Sequence, residues 1–202
     1  MSNDASTTST TAVQAFADPA PLGLAGFGLT TLVLSFGNAN IVKEAGAITI
    51  VLGLAVFYGG IGQLLAGVLE YRRGNTFGVT AFSSYGAFWL SFWYINTHLT
   101  AASGDVHEAL GLYLIGWAVF TGFMTIAALK TNAAVLAVFT FLTLTFLFLG
   151  LGAFQNGTPS PDSLTKIGGY LGIVTGLLAF YASAAGVINA THKRDFLPVW
   201  PR

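Results

Sequence analysis

The sequence has no cysteine, and only 8% of its 202 residues are charged. The first absence removes disulfides, thiol nucleophiles, cysteine-ligated zinc and iron–sulfur clusters. The second reaches further. An ordinary soluble domain carries about 25% charged residues. With 54% of the chain apolar, too little polar surface remains to cover a water-soluble body. Lipid is the solvent that this composition fits. The net charge is zero, which offers no footprint for a nucleic acid or another polyanion. Histidine is scarce as well: His98, His107 and His192 all lie at the margins of apolar runs, so no facing pair can hold a haem within a bilayer. No lysine sits mid-run to carry a Schiff base. No Ser–His–Asp set or metal-ligand cluster is present. An enzyme is therefore not expected, and neither is a cofactor or a bound metal.

What is present is a series of long uncharged runs. Between Asp18 and Lys43 lie 24 uncharged residues, and between Glu44 and Glu70 lie 25. Arg73 to Asp105 encloses 31, Glu108 to Lys130 encloses 21, Lys130 to Asp162 encloses 31, and Lys166 to Lys193 encloses 26. A helix needs about 20 apolar residues to cross the hydrocarbon core, so each run holds one span. The expectation is an all-α membrane protein with six transmembrane helices over residues 22–41, 47–69, 78–97, 109–129, 133–153 and 168–190. Strands of a transmembrane barrel are about half as long and alternate in polarity, which these runs do not. All six prolines fall outside the spans, with Pro19 and Pro21 opening the first and Asp18 placed to cap it. Residues 18–192 thus form one six-helix domain. Residues 1–17 lack Lys, Arg and any apolar stretch, so they are no signal peptide and read as a disordered tail. Residues 193–202 read as a C-terminal tail. With the N-terminus inside, the cytoplasmic segments hold Arg72, Arg73, Lys130, Lys193, Arg194 and Arg202, against Lys43 and Lys166 outside. Basic residues favour the cytoplasmic side, so both termini are expected there.

Within the spans the chemistry left is neutral and polar. Gly23, Phe27, Thr30, Leu34 and Asn38 follow helical spacing in the first span, and Tyr85, Phe88, Phe92 and Asn96 do so in the third. Gln63 sits mid-way along the second, and Leu142 and Thr145 lie one turn apart in the fifth. Hydroxyls and amides can donate to a carboxylate without presenting a fixed charge, and such weak holding suits rapid passage. Thr30, Gln63, Thr80, Ser84 and Asn96 are the polar candidates for a substrate path. A lone Thr or Ser can equally bond back to its own helix, so Gln63 and Asn96 carry more weight. Glu70 stands just before Tyr71-Arg72-Arg73. It reads either as an interfacial ion-pair partner of Arg72, Arg73 or Lys130, or as a proton-linked or gating group at the inner mouth. Glycines recur at Gly168, Gly172 and Gly176, and small residues flank Gln63 at Gly59 and Gly67, as expected of helices packed closely in lipid.

Three stretches resemble a known family. They are Asp18-Pro-Ala-Pro-Leu-Gly23 with its continuation to Thr31, Phe57-Tyr-Gly-Gly-Ile-Gly-Gln63 running on to Gly78, and Thr80-Ala-Phe-Ser-Ser-Tyr-Gly-Ala-Phe-Trp-Leu90. Together they are similar to the acetate uptake transporters, the YaaH/SatP-like group of bacteria with fungal relatives. The family signature begins with Asn where this chain has Asp18. The motif residues are Asp18, Pro19, Ala20, Pro21, Leu22 and Gly23. The resemblance implies passage of acetate, and of succinate in some members, by a channel-like or proton-linked pore in the plasma (inner) membrane. It implies a homo-hexamer with one pore per subunit, narrowed by Phe27, Tyr85 and Leu142. The Tyr85 hydroxyl is expected to help solvate a passing carboxylate. The alternative is a membrane acetate sensor or a structural protein that moves nothing.

Overall fold

The structure, a computed structural model, describes residues 16–44, 46–99, 106–155 and 162–201. The expected disordered tail lies outside them except for Phe16 and Ala17. Among the described residues the chain is helical, with no strand beyond one isolated bridge, Asn132 to Pro201.

The described residues form six rods. Helix α1 spans Ala20–Asn38. The second rod is continuous but changes pitch: α2 (Ala47–Val56), a π-helical turn (Phe57–Gly62) and α3 (Gln63–Arg72). Helix α4 spans Thr76–His98, α5 His107–Ala128, α6 Ala133–Ala153 and α7 Ser163–His192. Five rods are both long and apolar enough to cross a membrane. The sixth, α4, has the length, about 34 Å for 23 residues, and no Asp, Glu, Lys or Arg. Its Ser, Thr, Tyr and Trp residues lower its hydropathy.

The helix starts follow from local chemistry. Asn75, Asn132 and Asp162 accept the backbone N–H of Gly78, Val135 and Thr165 at the starts of α4, α6 and α7, which satisfies donors that a helix leaves unpaired. Asp18 plays a looser part at α1. It accepts the N–H of Ala20 at 3.1 Å, while Pro19 occupies the cap position itself. The last helix runs past its expected span at both ends and stops at Lys193, which adopts φ 52.

Packing is by close backbone approach. Helix α7 lies against α1 and α6, α5 against α6, and α3 against α4. Gly28 and Gly176 face each other so closely that a Cβ on either would come within about 3 Å of the other's carbonyl oxygen. Gly169, one residue from the expected stripe, abuts the end of α1, where a Cβ would meet the Asn38 carbonyl carbon at 2.6 Å. Backbone cannot swing aside as a side-chain tip can. Gly169→Ala is therefore expected to destabilise by about 1–3 kcal/mol or more, lowering the melting temperature in detergent by about 5 °C. Gly116, with nothing within 4 Å of its Cβ position, is the control. Gly116→Ala is expected to be neutral or mildly stabilising, and equal behaviour of the two variants would refute this account.

The segment after α7 is pinned rather than loose. Asn189 donates to the Leu197 carbonyl and accepts the N–H groups of Phe196 and Leu197. Tyr181 donates to the Pro198 carbonyl at 2.6 Å. The Trp200 carbonyl accepts the N–H of Ala133 at 3.0 Å, so the chain end closes over the start of α6.

Candidate functional site

Two cavities lie inside the bundle. The first, about 480 Å³, reaches the end of the molecule marked by Asn38, Asn96, His107 and Asp162. The second, about 190 Å³, reaches the other end, marked by Ala20, Glu70, Asn75 and Asn132. Ala20 and Asn38 are the two ends of α1, about 28 Å apart along a 19-residue helix, so the cavities lie on opposite sides of the bundle's waist. Two residues line both: Phe27 and Leu142. They are 4% and 3% exposed and form an apolar septum. Tyr85 stands on the second-cavity side, 3% exposed, with its ring 5.6 Å from that of Phe27.

The two sides differ in polarity. The first cavity is lined by Thr31, Ser35, Asn38, Asn96 and Thr145, with His107 and one charged residue, Asp162, at its end, among other polar, aromatic and aliphatic groups. Thr31 Oγ1 and the Trp89 indole nitrogen, both on lining residues, have no hydrogen-bond partner. Each can donate. The second cavity has one charged residue, Glu70, and no basic one. Here the unpartnered atoms are acceptors, Glu70 Oε1 and Gln63 Oε1, on side chains that are each 1% exposed.

Several expected site residues fall elsewhere or act differently. Thr30 is fully buried and donates to the Gly26 carbonyl at 2.8 Å. It lines neither cavity, and its neighbour Thr31 takes the place assigned to it. Thr80 and Ser84 are half-buried and line neither cavity. Asn96 does line the first cavity, with one amide hydrogen donated to the Phe92 carbonyl. Among the described residues Glu70 makes no ion pair. The expected partner Arg73 instead pairs with Asp18 at 2.8 Å, and Glu70 Oε2 accepts from Asn75 Nδ2 at 2.9 Å. Asn75 thus caps α4 and holds the acid at once. In the opening motif, Asp18 joins the loop after α3 to the start of α1, Ser183 donates to the Pro21 carbonyl, and Gly23 leaves room for the Phe82 ring.

The Tyr85 hydroxyl, expected to face the path as a free donor, is engaged. It lies 2.9 Å from Thr121 Oγ1 on α5. Thr121 was not singled out by sequence, because it is 36 residues away and ordinary in a span. Thr31 and Trp89 were missed for a similar reason: each sits one position from a residue that was chosen, and spacing alone did not fix the rotation of the helices.

Comparison with known proteins gives this arrangement its context. Acetate permease A of Emericella nidulans is 42% identical over 91% of this chain, which spans 66% of that longer protein. The succinate-acetate/proton symporter SatP of Escherichia coli K12 is 40% identical over 91% of this chain and 95% of its own length. The solved structure of the bacterial acetate channel SatP superposes with a TM-score of 0.82 at 39% identity, over 92% of this chain and 99% of that one. These relatives are named as a permease, a symporter and a channel, not as enzymes. Residues 3–201 match the GPR1/FUN34/yaaH family, and the chain belongs to it.

Proposed function

We propose that the chain passes small carboxylates, acetate foremost and succinate less readily, across the cell membrane through a pore of its own. The observation that carries this reading is the pair of cavities meeting at the Phe27–Leu142 septum. The first gathers neutral donors that can stand in for water around a carboxylate. The septum is short and apolar, so a small acid can leave one polar zone as it reaches the next. An unpaired charge in such a place is expensive, and brevity is what limits that penalty. Names of relatives similar to this chain, acetate permease and succinate-acetate/proton symporter, support the substrate class. Residues 18–192 act as one transmembrane unit, and a homo-hexamer with one pore per chain is the assembly we assign. Uptake of labelled acetate into liposomes holding only the purified protein is the test. Correctly folded protein that admits no acetate would overturn the proposal and leave a sensor.

We further propose that both termini face the cytoplasm, on the six-to-two distribution of basic residues. The second cavity is then the inner vestibule. The chain has no cysteine, so single cysteines report cleanly. At Ser2 or exposed Thr76 they are expected to be shielded from an impermeant thiol reagent in intact cells. At exposed Lys43 or Glu108 they are expected to react. The reverse pattern would invert the assignment.

A further inference from the structure

The backbones of helices α4 and α5 come close at few points, and their side chains span the gap through ring contacts and two hydroxyl pairs. Tyr85 on α4 meets Thr121 on α5, and Tyr113 on α5 meets Ser91 on α4. In each pair the proton direction is fixed by arithmetic. A threonine or serine hydroxyl has one hydrogen. Thr121 gives its hydrogen to the Trp117 carbonyl at 2.7 Å, and a carbonyl cannot give one back. The Tyr85 hydrogen must therefore be the one between Tyr85 and Thr121. Ser91 likewise donates to the Phe88 carbonyl, which leaves Tyr113 as the donor to Ser91. Thr121 is fully buried, so no water competes for this bond.

The consequence falls on the path. Beyond the septum, Tyr85 offers lone pairs and no proton. Gln63 Oε1 and Glu70 Oε1, on the same cavity, are unpartnered acceptors. Around Tyr85 the facing groups from α1, α5 and α6 are Phe27, Phe120, Trp117 and Phe139, none of them titratable. Glu70 of α3 is the one acid or base lining that cavity. Across the septum, His107, Tyr113 and Asp162 line the first cavity.

We infer that Thr121 is a positioning residue that turns the Tyr85 proton away from the path, so that at Tyr85 a permeating molecule meets a hydrogen-bond acceptor. A carboxylate finds no donor at that position; the donors of this cavity are the side-chain amides of Gln63, Asn75 and Asn132. An undissociated acid brings its own hydrogen and suits the Tyr85 position. The inference rests on the carboxylate reading above and names the protonation state that this position favours.

Thr121→Val keeps the shape and removes the hydroxyl, which releases the Tyr85 proton toward the path. Acetate uptake into liposomes is measured near the ordinary carboxyl pKa of about 4 and well above it. Wild type, Thr121→Val and Thr121→Ser are compared, each also with Glu70→Gln so that this carboxylate does not titrate. Thr121→Val is expected to raise the ratio of high-pH to low-pH flux about tenfold, the effect of one added donor to a charged group. Thr121→Ser is expected to keep the wild-type ratio. An unchanged ratio in Thr121→Val, or the same rise in Thr121→Ser, would overturn the inference. A second measurement needs no transport. The Raman difference between wild type and Tyr85→Phe is expected to show a tyrosine that donates strongly and accepts weakly. Its absence with normal uptake overturns the inference alone. Its presence in a folded wild type that takes up no acetate overturns the carboxylate reading, and the path with it.

Discussion

Leu142→Ala is expected to raise the succinate-to-acetate flux ratio by about tenfold in liposomes, with acetate flux kept. Leu142 is half of the partition between the two cavities, and it is 3% exposed. Truncation removes three carbons from the waist and lets water of the two vestibules approach. In the proposed passage acetate needs no widening. Succinate carries a second carboxylate and cannot keep both ends solvated in a tight collar. Relief of about 1.4 kcal/mol of that desolvation gives the tenfold change. A buried Leu→Ala change also destabilises by about 2–5 kcal/mol, so flux must be scaled to folded protein. Lower stability with an unchanged ratio would mean that Leu142 packs the bundle and does not set the width.

Glu70→Gln is expected to flatten the pH dependence of acetate uptake and to raise uptake at neutral pH by more than tenfold. Glu70 is the one acidic group lining the second cavity, and no basic residue lines it; Arg73 pairs with Asp18. As pH rises, the substrate and an ionised Glu70 both carry negative charge. For two such charges about 8 Å apart in an effective dielectric of about 20, the repulsion is about 2 kcal/mol, well over tenfold in rate. The amide keeps the shape and can still accept from Asn75, so expression is expected to hold. A pH profile that superposes on wild type, with normal protein levels, removes Glu70 from the path.

The six spans were legible because charges are excluded from the hydrocarbon core and therefore mark its edges. Glu44, Glu70, Lys130 and Lys193 do this without any family knowledge. The ends of α7 were not legible. Asp162 and Lys166 bracket its first turn, and a helix carries charge readily once it leaves the lipid. Rotation about each helix axis was the weaker reading, since these helices are apolar all round and lack a single polar stripe. That is why Thr30 was chosen where Thr31 and Ser35 line the cavity, and why Thr80 and Ser84 were chosen but line neither. Phe27, Tyr85 and Leu142 came from resemblance, not from spacing, and it is their three-dimensional placement that makes the proposal specific. The ion pair expected at Glu70 failed for a reason that sequence does not display: Asp18 is distant in the chain, yet it reaches Arg73 first.

The π-helical turn at Phe57–Gly62 amounts to one residue more than an α-helix would use to cover the same distance. Its effect is a phase shift. Everything C-terminal to it is rotated about 100° relative to an uninterrupted helix, since each residue of an α-helix turns by that angle. Gln63 and Glu70 both lie downstream, so the orientation of both polar groups is set by a feature that neither residue contains. Deleting one residue from Tyr58-Gly-Gly-Ile-Gly62 would leave the composition of the span almost untouched and its hydropathy unchanged. It would also carry the amide and the acid off the second cavity together, toward neighbouring helices or lipid. A chain lacking one residue here would carry the same glutamate at another azimuth, identical in name and unequal in position.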